Sequence, residues 1–224
     1  MNWRDALAID EGVIKFDDRD YNVTPALLES DIQAINQARR QLYQLELIGQ
    51  YPVENVGYGN ISIRQDFQHL YKSDKPQFII SGSQTGHLPI LNGEHYTRVV
   101  DYDVAKNKIR AMGPRTHIKG ASSESLTHGA IYECNPAIGV VIHIHRAKIW
   151  QGMLNDQLCH THKDIPYGTV LMAQAVKEKV AGKVSGYLAM AGHEDGVVTF
   201  GENFKEAMEI CMELYEKYVG DYRA

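Results

Sequence analysis

Thiols are scarce in this chain. Its three cysteines, Cys134, Cys159 and Cys211, are odd in number and far apart, which fits neither a disulfide framework nor a thiolate zinc site. Excess charge of one sign is also missing. Twenty-three Lys and Arg stand against 28 Asp and Glu, a net charge of −5, so the basic stripe of a dedicated nucleic-acid binder is absent. No apolar run approaches the ~20 residues of a membrane span, and the N-terminal MNWRDALAIDEG is too acidic and polar for a secretory signal. The expected location is the cytoplasm, with no nucleic-acid or membrane partner. There is no internal repeat, low-complexity stretch or Ser/Gly-rich linker. Neither the phosphate-loop spacing GxxxxGK followed by Ser or Thr nor the dinucleotide fingerprint GxGxxG occurs. What the chain has in quantity is imidazole, ten histidines in 224 residues. Any metal would therefore be held by imidazole and carboxylate.

Length and an ordinary globular composition, 44% hydrophobic and 23% charged, predict one continuous domain at residues 24–224 behind an N-terminal extension at 1–23. The extension has room for a short strand around Val13–Phe16. Thr24-Pro25 is a good opening for a helix, along which Leu28, Ile32, Ile35, Leu42 and Leu45 keep helical spacing, with Gly49 as its stop. The middle of the chain reads as strands: GNISIR with Ile61 and Ile63 on one face, QFIIS, then RVVDYD paired with NKIRAM through a turn near Lys106-Asn107. A helix over Ser123–Cys134 leads into the buried strand GVVIHIH. A helix at 169–181, the strands GYLAM and GVVTF, and a last helix complete the pattern. That last helix is capped by Asn203 with Glu206 at the capping-box position. The expected fold is α/β: a three-layer α/β/α sandwich around a mixed, largely antiparallel sheet.

His143 and His145 are two apart on a predicted strand, so both imidazoles leave the same face and can converge on one ion. The competing reading is two ordinary histidines at a strand end. Glu124, in GASSES at the start of the helix feeding that strand, and His193, in the AGHEDG turn, add a carboxylate and a third imidazole, a standard set for a borderline divalent metal. Taken singly, Glu124 reads as a first-turn helix acid and His193 as a turn residue. Around them, GYGNIS (57–62), SGSQTG (81–86) and the ASS segment (121–123) offer hydroxyls and backbone N–H groups of the kind that hold a phosphate, or else ordinary turns and an N-cap.

The order GNIS, S-Q-T-G, SSE followed by His128-x-Ala130-Ile131-Tyr132, VVIHIH, a late histidine and a final helix resembles the class II aldolase/adducin family from about Leu28 to Tyr218. That family includes fuculose- and rhamnulose-phosphate aldolases, a ribulose-phosphate 4-epimerase and a methylthioribulose-phosphate dehydratase. The resemblance implies metal ligands at His143, His145, His193 and Glu124, with Glu124 also the catalytic acid/base. It implies a substrate-phosphate site at Asn60, Thr85, Gly86, Ser122 and Ser123. The implied metal is Zn2+, or another divalent ion such as Mn2+, Co2+ or Fe2+, and the implied assembly a homotetramer. The implied reaction is a lyase cleavage of a C–C bond in a small ketose phosphate through a metal-stabilised enediolate. Epimerisation, dehydration and a non-catalytic adducin-like module are the alternatives. Four features depart from the family pattern. The third histidine is followed by Glu194-Asp195-Gly196 rather than directly by glycine, and Ala121 stands where a proline often precedes the paired serines. The segment between HIH and PYGT is short, and the aldolases' proton-donating tyrosine has no matching residue there. Tyr167, Tyr222, His160 and His162 are the candidates for that role.

Overall fold

The computed structural model describes residues 13–220. In chain order its elements are β1 (Asp17–Val23), α1 (Glu29–Gln44), β2 (Gly49–Tyr51), β3 (Val56–Tyr58), β4 (Asn60–Arg64), β5 (Phe78–Ser81), β6 (Tyr96–Asp103), β7 (Lys108–Gly113), α2 (Ser125–Cys134), β8 (Val140–His145), α3 (Ala147–Asn155), α4 (Val170–Val180), β9 (Gly186–Ala189), β10 (Gly196–Gly201) and α5 (Phe204–Tyr218). Eight strands form one sheet in the order β1-β7-β6-β5-β4-β8-β10-β9. Strand β1 runs parallel to β7, and the remaining neighbours are antiparallel. Strands β2 and β3 make a separate hairpin.

Period-two alternation sorts the strand side chains into two cores. Ile61, Ile79, Val140, Ile142 and Ile144 pack with Ile32, Ile35 and Leu42 of α1, Ile149 and Met153 of α3, and Ala207, Cys211 and Leu214 of α5. On the opposite face Phe78, Ile80, Val141, Val198 and Phe200 pack with Leu126, Ala130 and Ile131 of α2 and Met172, Ala173 and Val176 of α4. The architecture is the α/β/α sandwich with a mixed, largely antiparallel sheet. His143 and His145 continue the face begun by Val141, so they emerge on the side of α2 and α4.

Local signals set several boundaries as expected. Asn203 accepts from Glu206 N at 3.1 Å, and the Glu206 carboxylate accepts in turn from Glu202 N at 2.8 Å. Lys106 N donates to Asp103 Oδ1 at 3.0 Å in the β6–β7 turn. Arg64 of β4 reaches the C-terminal end of α2, donating to the carbonyls of Tyr132 at 2.6 Å, Asn135 at 3.0 Å and Ile138 at 2.6 Å. It thus satisfies acceptors that a helix end leaves open.

Other boundaries move. The N-terminal strand begins at Asp17 rather than Val13, and it joins the main sheet against β7. Part of the segment expected as an extension is therefore its edge. Helix α1 starts at Glu29, not at Thr24-Pro25. Thr24 N donates to Gly113 O and Leu27 N to Gly93 O, and these bonds hold the chain extended until Leu28, which is exposed. The helix ends at Gln44, five residues before Gly49; Leu47 N and Ile48 N turn back onto Leu42 O, and Gly49 instead opens β2. Helix α2 starts at Ser125, two residues after Ser123, because Ser122 O accepts from Ser125 N and the first helical bond runs from His128 N to Glu124 O. Hairpin β2–β3 and helix α3 had no counterpart in the expected element order. No helix among the described residues is long and apolar enough to cross a membrane.

Ile142 is fully buried at the centre of the sheet, whereas Val53 is 84% exposed. Ile142→Ala is expected to cost about 2–5 kcal/mol in urea unfolding, and Val53→Ala less than about 0.5 kcal/mol. Equal effects would contradict this packing.

Candidate active site

Strand β8 lies between β4 and β10, in a register that opposes His143 to Asn60 on one side and to Val198 on the other, with His145 opposite Gly196. The β9–β10 turn is closed by Met190 N to Gly196 O, His193 N to Met190 O and Gly196 N to His193 O, and it is tied to the end of β8 by Arg146 N to Asp195 O at 3.0 Å. This brings His193 over the two strand histidines. One ligand nitrogen from each of His143, His145 and His193 lies within 4.8 Å of the others, and all three residues are buried. The Nε2 atoms of His143 and His145 are 2.9 Å apart, and the His193 ring stacks on His143 with centroids 5.0 Å apart. A Cβ on Gly196 would lie 2.9 Å from His193 Nδ1 and 3.1 Å from His143 Cε1, so the cluster closes only over glycine.

The donor set fits a divalent metal. Burial, with the neighbouring imidazoles of His145 and His193, holds the His143 pKa well below the ordinary histidine range. The ring is therefore neutral, as a ligand must be. Nitrogens around a tetrahedral zinc, each about 2.0–2.1 Å from the ion, lie about 3.3 Å apart, a spacing the three imidazoles reach with small ring movements. Glu124 is fully buried and stands at the N-cap of α2, but it is not a member of the cluster that meets this spacing.

Three loops are tied together beside the cluster. Gly57 N donates to Gln84 Oε1 at 3.0 Å, joining the GYGN and SQTG turns. Gly82 bridges Ala121, and Ser83 N donates to Gly120 O at 3.0 Å, joining SQTG to the paired serines. Asn60, Thr85, Ser122 and Ser123 are all at least 95% buried, and Asn60 Oδ1 has no hydrogen-bond partner among the described residues. A Cβ on Gly86 would sit 2.1 Å from Gly49 O, so that turn also requires glycine. Thr85 donates its hydroxyl to Gly82 O at 2.9 Å.

A profile for the Class II Aldolase and Adducin N-terminal domain matches residues 39–218. The chain belongs to this family. Among solved structures, the chain is similar to a sugar-phosphate aldolase from Thermotoga maritima, with 18% identity over 84% of this chain and 91% of that one at a TM-score of 0.63. It is also similar to the L-fuculose-1-phosphate aldolase from Thermus thermophilus, with 19% identity over 82% and 88% at 0.55. A third is YgbL from Escherichia coli, a candidate aldolase/epimerase/decarboxylase, with 19% identity over 84% and 86% at 0.59. At these identities the likeness is one of fold. The chain matches no curated protein.

Of the candidate proton donors, Tyr167 packs on the cluster, its ring 4.2 Å from that of His193 and nearly parallel to it. Lys15 Nζ sits 3.8 Å from the centre of the same ring and donates to Tyr167 O at 3.2 Å. His162 is exposed beside Asp164, and His160 bonds through Nδ1 to Leu158 O at 2.7 Å. Tyr222 lies outside the described residues.

Two buried side chains that the sequence reading gives no chemical role support this region. Arg39, 2% exposed, donates through Nη2 to Thr85 O at 2.9 Å and Gly86 O at 3.3 Å, and so braces the SQTG turn from α1. His128, left with no chemical role by sequence, is fully buried. Its Nδ1 lies 2.7 Å from Ser62 Oγ, which is 2.7 Å from the Tyr132 hydroxyl. For His128 the available signal was its place in the His128-x-Ala130-Ile131-Tyr132 motif. For Arg39 there was only its position between Ile35 and Leu42.

Burial pushes the His128 pKa down to about 3. The unfolded chain binds this proton below about pH 6.5 and the folded chain does not, so its contribution is full above pH 6.5 and declines as the pH falls. Between pH 6.5 and 5 it removes about 2 kcal/mol. Urea unfolding across that range is expected to show a shallower loss for His128→Gln than for wild type, by about that amount. Parallel profiles would contradict it.

Proposed function

We propose that the chain is a metal-dependent lyase that cleaves a C–C bond in a small ketose phosphate, with His143, His145 and His193 holding a divalent ion, Zn2+ first among the candidates. The observation that carries this reading is the buried three-histidine cluster beside three tied polar loops, in a chain of the class II aldolase and adducin family. The likenesses to two sugar-phosphate aldolases support the substrate class. When bound, the ion supplies Lewis-acid stabilisation of the negative charge that develops on the substrate's carbonyl oxygen as the bond breaks.

The remaining work falls to the chain's own groups. Asn60, Thr85, Gly86, Ser122 and Ser123 seat the phosphate through hydroxyls, a side-chain amide and backbone N–H groups, which suits an acidic protein with a small anionic substrate. That seat fixes the reacting carbons relative to the histidines and contributes by positioning. The Arg39 brace keeps Thr85 and Gly86 in place when the anion arrives. Glu124, at the N-cap of α2 beside the paired serines, is the acid/base for the carbon that loses its bond. Tyr167, stacked on His193, is the second acid/base and hands a proton to or from the leaving aldehyde. As in the family resemblance, the assembly is a homotetramer, and the protein works in the cytoplasm.

The test is product analysis on a panel of ketose phosphates. Release of an aldehyde that stops with EDTA and returns with Zn2+, Mn2+ or Co2+ is expected, with His143→Ala inactive throughout. Activity that survives complete metal removal would overturn the metal mechanism. A metal-dependent isomeric product without aldehyde, or loss of water, would replace cleavage by epimerisation or dehydration at the same site. Tyr167→Phe is expected to lower kcat by about 10²–10⁴-fold with KM little changed. An unaltered kcat would remove Tyr167 from the reaction.

A further inference from the structure

The hairpin β2–β3, absent from the expected element order, ends directly over His145. Tyr51 closes β2, and its hydroxyl lies 2.9 Å from His145 Nδ1, with the two rings edge to face at 81°. On the neighbouring strand, Tyr58 packs against the same imidazole with centroids 5.5 Å apart, and the two tyrosine rings meet at 4.7 Å. The base of the hairpin is fastened to the end of β8. His145 N donates to Leu47 O at 2.9 Å, Arg146 pairs with the Glu46 carboxylate at 3.2 Å, and the Tyr58 hydroxyl donates to Glu46 O at 3.3 Å. The phenol oxygen of Tyr51 is thus presented to the imidazole by a structure anchored on the histidine's own strand.

His145 Nε2 faces His143 Nε2, so Nε2 is the nitrogen aimed into the cluster. An imidazole that commits Nε2 to a metal carries its remaining proton on Nδ1. In a buried ring that N–H needs an acceptor, which also fixes the tautomer and the ring plane. We propose that Tyr51 is the positioning residue for this ligand: its phenol oxygen accepts from His145 Nδ1–H and holds Nε2 toward His143 and His193. This rests on the metal reading above and extends it to a residue outside the ligand set. Without that oxygen, the proton can move to Nε2, where the His143 nitrogen stands 2.9 Å away, and the lone pair the metal needs is taken.

Removing a partner of this kind weakens metal affinity by about 10–100-fold. The experiment is zinc binding measured by competition with a chromophoric chelator for wild type, Tyr51→Phe and Tyr58→Phe, with the Tm of each metal-free protein. Tyr51→Phe keeps the aromatic packing and removes the acceptor. Tyr58→Phe leaves the Tyr51–His145 bond intact and controls for loosening of the hairpin. The expected result is a zinc Kd raised at least about 10-fold for Tyr51→Phe alone, at an unchanged metal-free Tm. A Kd for Tyr51→Phe within twofold of wild type would overturn the assignment, and so would an equal weakening in both variants. Should Tyr51→Phe lower the metal-free Tm, the wild-type protein decides: a downfield His145 Nδ1 proton protected from exchange in the zinc-loaded form supports the assignment, and a rapidly exchanging one overturns it. A wild-type chain that binds no zinc removes the metal reading itself, an outcome distinct from zinc binding that ignores Tyr51.

Discussion

The pairing of β8 with β4 on one side and β10 on the other is the constraint on which the site depends. Antiparallel register is discrete: a slip of one residue would turn His143 and His145 into the α1, α3 and α5 core and bring Ile142 and Ile144 to the opposite face. The register is held by what lies on both faces, since Ile142 and Ile144 fit the first core and Val141 the second. The same pairing opposes Asn60 to His143 and Gly196 to His145. The arrangement of the cluster is thus a consequence of how the apolar residues beside the two histidines on β8 pack into the cores.

Clustering three buried imidazoles has an energetic consequence. Burial and mutual repulsion of the protonated rings keep His143 neutral, and desolvation alone does the same for His128. The neutral state that favours a metal also makes the folded chain sensitive to acid, because unfolding lets these groups take up protons. The polar loops are held in a different way. In a chain with a net charge of −5, three turns are tied together by hydrogen bonds, and one of them is braced by the buried Arg39, so their donors are fixed dipoles rather than a field of charge. The phosphate seat proposed for them would rest on those dipoles.

The legible parts of the sequence were those with a short-range physical signal. Alternation in GVVIHIH identified β8 and the shared face of its histidines, and Asn203 with Glu206 located the start of α5. The AGHEDG turn was readable as a turn, and its histidine does join the strand pair. What stayed hidden was set by distant contacts. Thr24-Pro25 has the chemistry of a helix start, but tertiary bonds from Thr24 and Leu27 to Gly113 and Gly93 hold those residues extended. Hairpin β2–β3 is only three residues on each strand and lacks a strong turn dipeptide, so Tyr51 gave no sign of its approach to His145. Arg39 carries no signal in the helical pattern of α1 that sets it apart. Its role becomes visible only once the SQTG turn is folded against α1.

The central claim is that three imidazoles share one divalent ion, and the most direct measurement is X-ray absorption at the zinc edge of the loaded protein. The account predicts about one zinc per chain with three imidazole nitrogens at about 2.0–2.1 Å, falling to two in His193→Ala. A shell of oxygen atoms alone, or a spectrum unchanged by His193→Ala, would contradict it.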